Sequence, residues 1–195
     1  MNVKVWIAIG VAILLALYGI SVNNSLVEQE EEVNQAWAQV ENQYQRRADL
    51  VPNLVNTVQG AANFEQETLT NVIEARSRAT SINVDPSQLS NESTIRQFEQ
   101  VQGQLGNALS RLLVSVERYP ELTATQNFRD LQNQLEGTEN RIATERMRFN
   151  QAAQQYNTSL RRFPTSVVAG MLGFERKYYF EATEGAENAP EVSFD

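Results

Sequence analysis

Two polar groups stand apart from the amphipathic background of this chain. Arg46, Arg47, Asp49 and Asn53 crowd onto one helical stretch, and Glu136, Glu139, Asn140 and Arg141 onto another. Carboxylates facing each other across roughly 5–10 Å can cleave glycosidic bonds, and a cluster rich in oxygen can hold Mg2+ or Ca2+. The spacing carries neither chemistry, because no cleft is revealed between the acids and no EF-hand loop is present. A charged pocket that binds a ligand or a peptide is a third option. The plainer option is that these side chains pair across helices and fix their register, the best-attested use of charges inside a fold. We take that reading and assign no catalytic residue, cofactor or metal.

The residue inventory narrows the chemistry further. The chain contains no histidine and no cysteine. Imidazole-ligated zinc, Glu-x-x-His di-iron sites, thiolate metal sites, disulfides and nucleophile–histidine pairs are therefore excluded. The net charge is −8, and no basic patch exceeds the pairs Arg46-Arg47 and Arg161-Arg162. Nucleic acid needs a cationic footprint, so it is excluded as a partner.

Residues 5–20, VWIAIGVAILLALYGI, form one unbroken apolar run. With Ser21 and Val22 it reaches the roughly 17–25 residues that a membrane-crossing helix requires. The spacing predicts a flank at 1–4 and a transmembrane helix at 5–22, with lipid as its partner. A cleaved signal peptide would share this pattern, but no Ala-x-Ala site follows, so a retained anchor is expected. Lys4 precedes the run, and Glu28 and Glu30 to Glu32 follow it. Lys and Arg mark cytoplasmic flanks. The expected location is a bacterial inner membrane, crossed once, with the N-terminus inside and the domain periplasmic or extracellular. Ala8, Ala12 and Ala16 recur every fourth residue and lay small side chains along one face, where a second helix could approach closely.

The elements that position the polar groups follow from periodicity. Val33, Trp37, Val40, Tyr44, Arg47, Val51, Leu54 and Val58 step by four and three, which predicts a long helix continuing from the membrane segment. Pro52 predicts a kink or break near 48–52, with Asp49 capping a new start. Gly60 is a second stop signal, and Asn63 with Gln66 resembles a capping box. Leu69, Val72, Ile73, Arg76 and Ala79 mark a second helix. Residues 83–91 read as a loop. Ile95 through Val116 mark a third helix, and Phe128 through Leu160 a fourth, from about 123 to 162. Trp37, Tyr44, Phe128, Phe149 and Tyr156 are core, and Asn150 and Asn157 form a polar layer one heptad apart. The fold class is all-α: an antiparallel up-and-down four-helix bundle over residues 23–163. Residues 164–195 hold a short helix and an extended acidic tail. The aromatics Phe174, Tyr178, Tyr179 and Phe180 predict that this tail packs on its own bundle or on a neighbour.

Three blocks carry a resemblance. The first is Ala36-Trp37, RRADLVPNLV at 46–55, Val58, Gly60 and Glu74-Ala-Arg76. The second is Glu117-Arg-Tyr119-Pro120-Glu-Leu122, Asn127-Phe128 and LEGTENRI at 135–142. The third is Tyr156-Asn157, Phe163-Pro164, Gly173-Phe174 and Tyr179-Phe180-Glu181. In this order they resemble the LemA family of bacterial single-pass membrane proteins over nearly the whole chain. The resemblance implies an N-terminal anchor, a four-helix bundle and no established enzymatic activity. Phe64 stands where the family usually has histidine, and Thr123 where it usually has lysine. The expected function is a membrane-anchored, non-enzymatic scaffold that self-associates as a homo-oligomer. The alternative is an adaptor for another envelope protein, such as a membrane protease.

Overall fold

The computed structural model describes residues 3–60 and 65–181, with no strand among them. Helix α1 (Val3–Gln59) has 57 residues, so it is about 85 Å long at 1.5 Å per residue. Its side chains from residue 3 to 18 are all exposed. From Val22 onward it buries Leu26, Val33, Trp37, Val40, Tyr44, Arg47, Val51, Leu54 and Val58. This is the stripe expected from the sequence. The N-terminal part of α1 is long and apolar enough to cross a membrane.

The break expected at residues 48–52 does not occur, because α1 runs unbroken through Pro52. The reason lies on another helix. Proline has no N–H, so the carbonyl of Ala48 loses its usual donor one turn later. Arg76 supplies a replacement, with Nε donating to the Ala48 carbonyl at 2.7 Å. Ala48 is 3% exposed, so water could not easily have served instead. Asp49 does not cap a new helix; it accepts from the side chain of Gln45 at 3.0 Å. The helix ends at Gln59, and Gly60 follows as a turn residue. Gly60 lacks the left-handed backbone of a glycine cap, which among the described glycines belongs to Gly173 alone. Asn63 lies outside the described residues, and α2 (Gln66–Ser81) starts at Glu65 with no side-chain cap.

Within α2, Leu69, Val72, Ala75 and Ala79 are buried, while Ile73 turns outward at 49% exposure. The stretch read as a loop contains a short 3-10 helix, Pro86–Ser90, capped by Asp85. Helix α3 (Glu92–Val116) is capped by Asn91. A single turn, α4 (Pro120–Thr123), precedes α5 (Gln126–Arg161), which Thr125 caps by accepting from Phe128 N at 3.3 Å. Helix α6 (Thr165–Leu172) follows.

Helices α1 and α5 lie along each other, and α2 packs on α3. Trp37 meets Phe149, and ten residues further along α1 Arg47 meets Glu139, so α1 and α5 run antiparallel. Two apolar clusters form the core. The distal one joins Val51, Leu54 and Val58 to side chains of α2, α3, α4 and α5. The proximal one centres on Trp37, Phe98, Phe149 and Tyr156, and is completed by Val84, Leu89 and Phe180 where α2 no longer contributes buried side chains. A third, small cluster sets Ala169 of α6 on Val22 and Leu26.

Candidate functional site

Arg47 occupies a position in the apolar seam of α1, between the two large clusters. Its side chain is 4% exposed and its Nη1 lies 3.0 Å from Glu139 Oε1. Nη2 donates to the backbone carbonyl and to Oε1 of Gln102, both at 2.8 Å. Its guanidinium lies 5.0 Å from the centre of the Tyr44 ring. Gln102 in turn donates to the Ala79 carbonyl at 3.2 Å. One guanidinium thus ties α1 to α3 and α5, with Gln102 extending the chain to α2. Together with Arg76 on the Ala48 carbonyl, this makes a polar layer with a member on each of the four long helices. A buried cation with hydrogen-bonded partners specifies one arrangement of the helices more than it adds stability.

The second constellation receives the end of the described chain. Asn157 Nδ2 donates to the Lys177 carbonyl at 2.7 Å, and the Lys177 N–H donates to Asn157 Oδ1 at 2.9 Å. Asn150 holds Phe180 in the same two-way fashion, both bonds at 2.9 Å. The two amides are seven residues apart on α5, a rise of about 10.5 Å. Three residues of extended chain cover about 10 Å. The helix therefore offers amides at the repeat of an extended segment, as a neighbouring strand would.

Side chains secure this segment. Phe180 stacks on Trp37 with centroids 5.7 Å apart, meets Phe149 edge-on at 5.3 Å, and lies 4.6 Å beneath the Arg146 guanidinium. Lys177 is buried and pairs with Glu30 of α1 at 2.6 Å. Arg146 donates to Glu99 and to the Glu181 carbonyl, each at 2.9 Å, and Arg96 pairs with Glu181 at 2.8 Å. The Glu181 N–H donates to Glu99 at 3.2 Å. Burial pushes the Glu99 carboxyl above the ordinary carboxylate range, outweighing the Arg146 guanidinium beside it.

The residues singled out from the sequence are placed as follows. Arg47 and Glu139 are joined. Arg46, Asp49, Asn53, Glu136, Asn140 and Arg141 are exposed and lie outside that layer. Glu136 accepts from its helical neighbour Gln132 at 3.0 Å, and the Asn140 carbonyl accepts from Thr144 at 2.9 Å. Ala8, Ala12 and Ala16 are exposed on the apolar part of α1. Phe180 is buried, Phe174 and Tyr178 are partly buried against the proximal and membrane-side clusters, and the Tyr179 hydroxyl accepts from Asn157 at 2.9 Å. Phe64 lies outside the described residues. Sequence reasoning did not assign roles to Gln102, Arg146, Glu99 or the pair Lys177–Glu30. For Arg76 a signal existed: a proline inside a helix frees a carbonyl that some donor must meet.

A polar cleft of about 300 Å3 opens beside this layer, lined by Glu41, Tyr44, Gln45, Asn83, Phe98 and Gln102 among others. Burial raises the Glu41 carboxyl above its ordinary value, and Asp85 adds to the effect. Burial likewise raises the Tyr44 phenol above its ordinary value, against the pull of Arg146 and Arg47. The lining can accept and donate hydrogen bonds to a small polar group. Among the described residues no three His, Cys, Asp or Glu side chains come together as a metal site.

Comparison with known proteins places these features in a family. The magnetosome proteins MamQ 1 and MamQ 2 of Paramagnetospirillum magneticum are each 38% identical to the chain over 79 residues, which is 40% of this chain and 29% of theirs. The chain therefore matches less than a third of the length of these curated relatives. Protein LemA of Metamycoplasma hominis is 24% identical over 161 residues, covering 83% of this chain and 69% of the relative. The LemA family model matches residues 36–194, a span that takes in Arg47, Arg76, Glu139, Asn150 and Asn157, and the chain belongs to the LemA family.

Proposed function

We propose that this protein is a membrane-tethered, non-catalytic scaffold: an up-and-down four-helix bundle that self-associates in the plane of a bacterial inner membrane, with its domain on the outer face. The observation that carries the reading is the continuity of α1, which joins an exposed apolar stretch to the core of the domain without a linker. Such a junction fixes the orientation of every copy relative to the membrane. Copies held in one plane at matched height meet at high effective concentration, so weak lateral contacts suffice for assembly. The face made by Ala8, Ala12 and Ala16 supports close approach of neighbouring spans. Among the buried polar side chains, Arg47 and Gln102 join helices, and Asn157 and Lys177 hold the 177–181 segment, which supports a structural role. Neither the family nor the relatives named above carry a name that denotes an enzyme.

The test is the mass of the full-length protein extracted in mild detergent, measured by light scattering with the detergent contribution subtracted. A protein mass well above the 22.0 kDa monomer is expected. A monodisperse monomer at micromolar concentration refutes self-association. Crosslinking in cells separates the scaffold from an adaptor: bonds between copies support the first, and one dominant foreign partner supports the second.

A further inference from the structure

Helix α6 leaves a large apolar face uncovered. Phe163 just before it is 84% exposed, Val167 55% and Met171 82%. Val167 and Met171 are one helical turn apart and share one face, and Phe163, in the turn before the helix, borders the same groove. The opposite side is accounted for, because Ala169 packs on Val22 and Leu26 of α1. Two large apolar side chains on one face of an eight-residue helix, with a third just before it, are not scattered surface residues of the ordinary kind.

The place of this face in the fold says what covers it. Between α6 and α1 lies a groove of about 920 Å3, whose walls include Leu15, Ala16 and Ile20 on one side and Phe163, Val167 and Met171 on the other. Those α1 residues belong to the apolar run itself. Helix α6 therefore rests one side on the base of the domain and with the other dips back alongside the segment read as crossing the membrane. From Asn23 at the top of the groove to Leu15 at its foot, α1 descends about 12 Å. Helices lying at a membrane interface bury their apolar faces by about 5–10 Å, a comparable depth. The flanks suit the boundary. Exposed Arg161 and Arg162 come immediately before the dip, and exposed Arg176 follows it, where cationic side chains meet lipid phosphates. Tyr18 of the groove is an aromatic of the type enriched at that level.

Other occupants fit less well. A second copy seated on this eight-residue helix alone would make a small contact against the roughly 800 Å2 per partner of a stable interface in solution, and it stands as an outcome of the test. Residues 182–195 carry Glu184, Glu187, Glu191 and Asp195, a poor match for an apolar groove.

We propose that α6 is an intramembrane peg: its Val167–Met171 face, with Phe163 before it, and the groove beside α1 are filled by lipid acyl chains of the leaflet adjoining the domain. The proposal rests on α1 crossing the bilayer, and it adds a second point of insertion that fixes depth and rotation of the domain.

The absence of cysteine makes the test direct. Full-length Val11→Cys, Val167→Cys, Met171→Cys and Met147→Cys variants are each labelled with a nitroxide and reconstituted into phosphatidylcholine–phosphatidylglycerol vesicles. Accessibility to oxygen is then compared with accessibility to a water-soluble nickel chelate. The oxygen-to-nickel ratio at 167 and 171 is expected to lie between those at 11 and 147 and to exceed severalfold that at 147, on the exposed side of α5. Labels at 167 and 171 that behave like 147, while 11 stays in hydrocarbon, overturn the peg and leave the span intact. Dipolar broadening at 171 that vanishes on dilution with unlabelled protein overturns it in favour of a second copy. A water-exposed label at 11 overturns the span and the peg with it.

Discussion

Replacing Arg76 by methionine tests how α1 passes through Pro52. In the native protein Arg76 Nε donates to the Ala48 carbonyl at 2.7 Å, where Pro52 offers no N–H. Arg76→Met removes it and leaves a buried acceptor bare, which costs about 1–3 kcal/mol. Alanine at 52 restores an N–H that closes the ordinary helical bond to the Ala48 carbonyl. Pro52→Ala alone is expected to be at least as stable as the native protein, because it removes a proline from a helix interior, a change worth up to about 3 kcal/mol. In that background Arg76→Met strands nothing and loses only packing. The two substitutions should therefore couple by about 1–2 kcal/mol, beyond the roughly 0.5 kcal/mol scatter of independent sites. Guanidinium unfolding of the four full-length proteins in micelles, followed by far-UV circular dichroism, gives the cycle. Equal costs of Arg76→Met in both backgrounds would show that the carbonyl does not need the arginine, and the account of the unbroken helix would fall.

Other expectations follow from the same geometry. Glu139→Ala leaves Arg47 buried with its Gln102 bonds and should cost about 1–3 kcal/mol, whereas Arg47→Met frees the 43% exposed Glu139 to water but bares the buried carbonyl and Oε1 of Gln102 and should cost more; the reverse order in denaturant midpoints refutes the network. Phe180→Ala should release the 177–181 segment before it unfolds the helices. It is read as lost hydrogen-exchange protection at the Lys177 and Phe180 amides and increased acrylamide quenching of Trp37 in a Trp6→Phe background; unchanged protection of both amides contradicts it. Glu41 holds a raised pKa in the fold, so its ionisation destabilises the native state, and the stability it contributes is fully present below its ordinary value of 4.5 and is lost as pH rises through the folded value. Glu41→Gln should therefore gain stability at neutral pH and lose that advantage on acidification below 4.5, checked by thermal melts across pH. Gly173 sits at φ 78°, where a side chain is strained, so Gly173→Ala should cost about 1–2 kcal/mol, while Gly170→Ala meets open space and should be neutral or better by melting temperature.

Much of the architecture was legible because it repeats. The four-and-three stepping from Val33 to Val58 placed Trp37, Tyr44 and Arg47 on the buried face, and every one of them is buried. The residues that fix α1 in register were harder to read. Pro52 signals a break when its own segment alone is considered, and the donor that prevents one lies 28 positions away. Asn150 and Asn157 announced a polar layer through their heptad spacing, but the extended partners Lys177 and Phe180 have no periodicity to announce themselves. Ile73 and Ala75 exchanged roles because both lie near the edge of a stripe, where tertiary packing decides which is covered. Arg46 and Asn53 were grouped with Arg47 by proximity along the chain, yet successive helical residues point in different directions.

The unbroken α1 also acts as a lever. From Val22 to Gln59 it projects about 55 Å. Membrane helices lean by about 20° on average as they adjust to bilayer thickness. With no joint between span and domain, a lean of that size would carry the far tip sideways by about 19 Å. Local thinning or thickening of the bilayer would thus be written into the position of that tip, at a distance where no lipid reaches.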